Sequence, residues 1–251
     1  MNAIVAELSV VQYALIAGAA LLASVIGGIA GYGTGLLLPL ILVPLVGAEP
    51  VVPIMAIAAF LINASRVAAF RAAIDWRRTM LVLATAVPAC VLGAWFYTWL
   101  SATGTQLVIG AFLILSVPLR RLLKSRELHL SDAGLAVGGA GFGAITGTAP
   151  GTGVILISML MASGLTGAAV IATDAAISVI AHLVQALVFG VAGVIDDKVI
   201  LIALLIGTCS VPGAFLARWI VKRLAVRQHA AVLDAVILVG GVMMVAGVLS
   251  R

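Results

Sequence analysis

Between residues 167 and 191 four polar side chains interrupt an apolar segment at spacings of 4, 4 and 3: Asp174, Ser178, His182 and Gln185. On a helix those spacings put all four on one stripe. In so apolar a setting an ionisable group is costly to keep, which makes it a pointer to function. In the other half, Asn63 and Arg66 stand three apart, each 119 residues before His182 and Gln185 respectively. The Arg66 guanidinium can pair bidentately with an oxyanion; equally, its stem can carry the charge to a nearby aqueous boundary. His182 can bind an anion when protonated or relay protons, with Asp174 setting its charge state, or it can hydrogen-bond between packed helices. A carboxylate beside an anion repels it unless protonated. The stripe therefore points to proton coupling, with Asp174 or His182 taking up a proton as an anion binds.

The second chemical signal is glycine. "GYGTG" at 31–35 and "GTAPGTG" at 147–153 each break an otherwise continuous apolar stretch. Helices starting at Thr34 and Thr152 would point unpaired N–H groups and the positive end of a helix dipole into the interior. Gly33, Thr34, Gly35, Gly151, Thr152 and Gly153 are thus expected to bind a small anion through backbone amides and threonine hydroxyls. The competing reading is that these glycines only allow close helix packing. No H-E-x-x-H, nucleophile elbow or paired metal-ligand motif occurs, so no cofactor or metal is expected and an enzyme is disfavoured.

The elements that must hold these residues follow from composition. Of 251 residues 64% are hydrophobic and 9% charged, which excludes a water-soluble globular domain. The apolar runs are continuous rather than alternating, so they are helices and not barrel strands. The fold class is an all-α polytopic membrane protein, with the bilayer as a partner. The N-terminal segment has no basic region ahead of its apolar run, so no cleavage is expected. Cys90 and Cys209 fall inside apolar segments and read as small buried hydrophobes.

At about twenty residues per crossing, the segments are 8–30, 34–47, 51–70, 79–100, 105–119, 133–148, 152–164, 167–191, 199–217 and 230–249. The two that follow the glycine breaks are short, either thin crossings or re-entrant helices. Basic residues cluster at Arg66, Arg71, Arg77 and Arg78, at Arg120, Arg121, Lys124 and Arg126, and at Arg218, Lys222, Arg223 and Arg227. Twelve of the 14 Lys and Arg lie there, and placing all three clusters in the cytoplasm satisfies the positive-inside rule. Both termini, Glu7, Glu49, Asp196 and Asp197 then face outward. Basic charge here reports topology, so no nucleic-acid partner is expected. Trp76, Trp99 and Trp219 fall at segment ends, where indoles favour the headgroup layer.

The halves match at nearly constant offset. Gly33-Thr34-Gly35 aligns with Gly151-Thr152-Gly153, Ile74-Asp75 with Ile195-Asp196, Gly93-Ala94 with Gly213-Ala214, and Trp99 with Trp219. Segment 79–100 begins at a basic end and its counterpart 199–217 finishes at one, so the repeats, 1–125 and 126–251, read as inverted. Inverted repeats with broken helices are a pattern of secondary transporters, which bind near the midplane between the halves.

"GGIAGYGTGLLLPLILVPLVG" and "AIDWRRTMLVLATAVPACVLGAWFYTWLSATGTQLVIGAFLILSVPLRRLL" resemble the glycine-rich opening, the Asp-Trp-Arg start, the Gly-Ala helix and the closing helix of the sulfite exporter TauE/SafE family. The second half repeats the pattern more loosely. The resemblance implies a multi-pass inner-membrane carrier of sulfite, sulfonates or related sulfur-containing anions, often exporting them. The same helix termini could also build a passive anion channel. Two departures stand out: the first break is less glycine-rich than is usual in that family, and the second carries Pro150. Tyr32 and Pro150 are where substrate preference would be sought.

Overall fold

In a computed structural model the structure describes residues 8–30, 34–125, 129–221 and 229–249. Gly33 and Tyr32, with Glu7, Arg126, Lys222, Arg223 and Arg227, lie outside the described residues. Those described form ten α-helices and no strand: α1 (Val10–Ala30), α2 (Thr34–Val46), α3 (Val51–Phe70), α4 (Trp76–Tyr97), α5 (Ala102–Ser125), α6 (Asp132–Thr148), α7 (Gly153–Ala162), α8 (Ala168–Val191), α9 (Asp197–Val221) and α10 (His229–Leu249). A 3-10 turn, Arg71–Ala73, links α3 to α4.

The expected segments are these ten helices with shifted ends. α4 begins at Trp76 rather than 79 because Asp75 caps it, its carboxylate accepting from the Arg78 N–H at 2.9 Å. α5 and α9 run past the apolar windows at 119 and 217, since the Arg and Lys beyond those windows are good helix formers.

Large apolar side chains cover the outside: Val10 is 85% exposed and Val137 76%. In water such a surface would aggregate; in lipid it is the solvated face. Val51–Ala68, Trp76–Tyr97, Ala102–Leu119 and Ala168–Val191 are long and apolar enough to cross a bilayer. The chain is a polytopic helical membrane protein. Exposed Trp76 and Trp99 bracket α4, and at 1.5 Å per residue they stand roughly 35 Å apart, close to the spacing of two headgroup layers.

The helices pair by small-residue contacts. Gly139, Gly143 and Gly147 of α6 lie against Val82, Ala86 and Cys90–Ala94 of α4, the two helices running parallel. A Cβ on Gly143 would stand 2.1 Å from the Ala86 carbonyl oxygen, so only glycine permits this approach. α1 runs parallel to α9 in the same way, with Gly213 against Leu21 and Ser24. Advancing each helix by five places carries α1–α9 onto α6–α4, α3–α9 onto α8–α4, α2–α3 onto α7–α8 and α2–α10 onto α7–α5, while α3–α8 and α5–α10 map onto themselves.

Both short helices turn back. The Leu130 N–H donates to the Ala162 carbonyl at 2.9 Å, so the end of α7 lies beside the start of α6. Leu8 and Tyr13 share a cavity wall with Val46 and Pro50, which puts the end of α2 beside the start of α1. α1 with α2 and α6 with α7 are therefore hairpins that each return to the end they came from, with Thr34 and Gly35 at the inner end of one and Gly147–Gly153 at that of the other.

Candidate functional site

The two tips meet. A Cβ on Gly35 would lie 2.5 Å from the Gly151 Cα, and one on Gly151 would lie 2.9 Å from the Gly35 carbonyl oxygen. Gly151 also has φ +90°, a conformation other residues adopt at a cost. Backbone packs on backbone here. That contact brings the starts of α2 and α7 together at depth, in front of the crossing of α3 and α8.

A cavity of about 140 Å³ opens at this point. One water needs about 10–15 Å³ of such space, so a small polyatomic anion fits with part of its hydration. Thr34, Gly35, Gly151, Thr152, Gly153, Asn63, Arg66, Asp174, His182 and Gln185 all line it, as does Ser178. The structure therefore brings together, on one cavity, every described residue that the sequence marked.

The polar groups are distributed unevenly. Arg66 Nη1 lies 3.6 Å from Asp174 Oδ2 and 3.4 Å from Asn63 Oδ1. Asn63 in turn donates to the Ala59 carbonyl at 2.9 Å. The Arg66 side chain is 31% exposed, whereas Asp174 is buried. At the other end of the stripe Gln185 donates to the Thr146 carbonyl at 2.7 Å, tying α8 to the tip of the α6–α7 hairpin. Asp174 Oδ1 and His182 Nδ1 are buried without a hydrogen-bond partner. Unpaired buried polar atoms facing a cavity are what a bound ligand or water would satisfy.

The threonine hydroxyls have partners inside the protein. Thr34 Oγ1 donates to the Ala23 carbonyl at 3.4 Å, and Thr152 and Thr146 share a hydroxyl pair at 2.8 Å. The Thr34 proton is thereby committed, and only one proton of the threonine pair remains to donate. Thr152 stands just ahead of α7 as its N-cap, with no side-chain capping bond. In α7 the Ile155 N–H already donates to the Thr152 carbonyl at 2.9 Å, so the Gly153 and Val154 amides, with those that open α2, are the donors at the breaks without an intrahelical acceptor.

Sequence reasoning missed several wall residues, among them Ser24, Met55, Ala59 and Pro150's neighbour Ala149. A signal existed for two of them. The offset of 119 that pairs Asn63 with His182 also pairs Met55 with Asp174 and Ala59 with Ser178.

The sequence profile of the sulfite exporter TauE/SafE family matches residues 16–244. The chain belongs to that family. No curated protein and no solved structure matches it. Membership in TauE/SafE makes this a membrane transport protein for a small anion, in a family of transporters and not of enzymes. The matched range contains every residue that lines the cavity.

Proposed function

We propose that this TauE/SafE member is a secondary transporter that moves a small sulfur-containing oxyanion, sulfite or an organosulfonate, across the inner membrane in the direction of export. The anion binds in the cavity between the hairpin tips and the α3–α8 stripes, held by Arg66, Asn63, His182, Gln185 and the glycine-threonine breaks. One observation carries this reading: both breaks and both stripes, far apart in sequence, line a single cavity. The halves, 1–125 and 126–251, are inverted repeats, a reading supported by the five-place exchange of helix contacts. The basic ends face the cytoplasm and both termini face outward. Proton coupling runs through Asp174 or His182, each of which has a buried atom without a partner.

Thermal-shift and calorimetric titration of the purified protein with sulfite, sulfate, thiosulfate and short sulfonates tests the substrate class. Binding of at least one sulfur oxyanion is expected, and a bulky replacement of Gly151 or Gly33 should abolish it. Intact binding in those variants would exclude the tips as the site. In liposomes, flux should saturate with substrate and depend on pH; a large single-channel conductance would make the protein a channel instead. Unchanged pH dependence in both Asp174→Asn and His182→Ala would sink the coupling.

A further inference from the structure

Asp174 is buried to 2% exposure, yet its carboxylate is poorly satisfied. Oδ2 reaches Arg66 Nη1 at 3.6 Å, an ion-pair contact longer than a hydrogen bond, and Oδ1 has no hydrogen-bond partner. Oδ1 also stands 3.9 Å from where a Cβ on Gly153 would lie, at the first residue of α7. The carboxylate thus sits between the guanidinium and the positive end of a helix whose first amides lack intrahelical acceptors. A purely structural buried carboxylate would be held by a full set of short hydrogen bonds. This one is held loosely, at the two groups that an entering oxyanion would seek.

We infer that Asp174 is a resident counter-anion: its carboxylate takes the substrate's place between Arg66 and the start of α7 in the empty protein, and yields when substrate binds. The inference rests on the anion-site reading above and adds a competitor to it. Without Asp174 the Arg66 cation would face the cavity with no anion opposite it, so the pair keeps the empty site neutral. Binding becomes an exchange of one anion for another. The exchange also selects: a sulfur oxyanion with three oxygens can span guanidinium and helix amides together, whereas Asp174 leaves one oxygen bare. A monocarboxylate would gain little over the tethered one.

Calorimetry with ethanesulfonate on the wild-type protein, Asp174→Asn, Asp174→Glu and Arg66→Gln tests this. Asp174→Asn should bind roughly tenfold tighter, because a like charge has left the site. Asp174→Glu, which keeps the competitor, should bind no tighter than wild type, and Arg66→Gln should bind on the order of 100-fold more weakly. Equal or weaker binding by an Asp174→Asn protein with an unchanged melting temperature overturns the inference. The wild-type structure with ethanesulfonate bound gives a readout that needs no variant. Asp174 Oδ2 should then lie beyond the roughly 4 Å ion-pair limit from Arg66; ethanesulfonate in the cavity with the pair still closed overturns the inference while leaving the site reading intact. Failure of all four proteins to bind any sulfur oxyanion would instead remove the site reading itself.

Discussion

At the return end of the α6–α7 hairpin, Arg78 reaches from α4 to the Ser163 carbonyl at 2.7 Å and binds Asp75 at 2.6 Å with its other terminal nitrogen. At the return end of the α1–α2 hairpin the matching position, 121 residues on, is Val199. Both positions follow a capping aspartate: Asp75 accepts from the Arg78 N–H at 2.9 Å, and Asp196 from the Val199 N–H at 2.8 Å. The cap is common to both ends, but the arginine clasp is not. Where Val199 stands, a cavity of about 330 Å³ separates Leu8 and Tyr13 from Val46, Pro50 and Ile54. Among the described residues the α6–α7 hairpin is thus clasped by an arginine at its open end, and a cavity stands at the corresponding place of the other, although their tips are in backbone contact.

The contact that both hairpins share is the most sensitive to substitution. Gly35→Val drives a side chain into the Gly151 backbone, which is 2.5 Å from the Cβ position, so a loss of at least about 4 kcal/mol is expected. Gly47→Ala, with φ +83° but nothing within 4 Å, should cost only about 1 kcal/mol of backbone strain. Thermal unfolding in detergent separates the two. Next in size is the clasp itself. Arg78→Ala should cost about 2 kcal/mol through two lost charge-assisted hydrogen bonds. Arg77→Ala, which removes an exposed pair with Asp132, should cost under about 1 kcal/mol.

Acid should loosen the same end. The Arg78 backbone N–H, followed by the Arg78 side chain, holds the Asp75 carboxyl below its ordinary value of 3.8, against the opposing effect of desolvation. A lowered folded-state pKa means the stabilisation is complete above the ordinary value and is lost as pH falls through the folded one. Amide protection factors at Ser163–Leu165, taken against the intrinsic rate at each pH, should therefore fall below about pH 4, and Asp75→Asn should remove that acid dependence. A smaller effect than loss of the clasp is expected between α1 and α9. Ser24 Oγ donates to the Ser210 carbonyl at 2.6 Å, while Ala144 occupies the matching place between α6 and α4. Ser24→Ala makes the two interfaces alike and should cost about 1 kcal/mol in thermal unfolding.

How far the sequence reaches can be seen in particular residues. Helix periodicity was sufficient to align Asp174, Ser178, His182 and Gln185, because a stripe is a local property. The offset of 119 was sufficient to suggest that Asn63 and Arg66 face them. That Gly35 touches Gly151 was not legible, since it depends on both hairpins returning, and the length of a short apolar helix does not distinguish return from crossing. The internal bonding of the Thr34 and Thr152 hydroxyls was hidden for the same reason, as Ala23 and Thr146 come near only after the tips fold back. Arg78 read as one of a topological cluster of basic residues. Its second role depends on Ser163, 85 positions away.

Both hairpin tips and both polar stripes are proposed to build one anion site. A structure of the purified protein with bromoethanesulfonate, located by the anomalous scattering of bromine, tests it most directly. The bromine is expected in the cavity bounded by Gly35, Gly151, Arg66 and Gln185, with the sulfonate toward Arg66. A fully occupied ligand elsewhere, with that cavity empty, would contradict it.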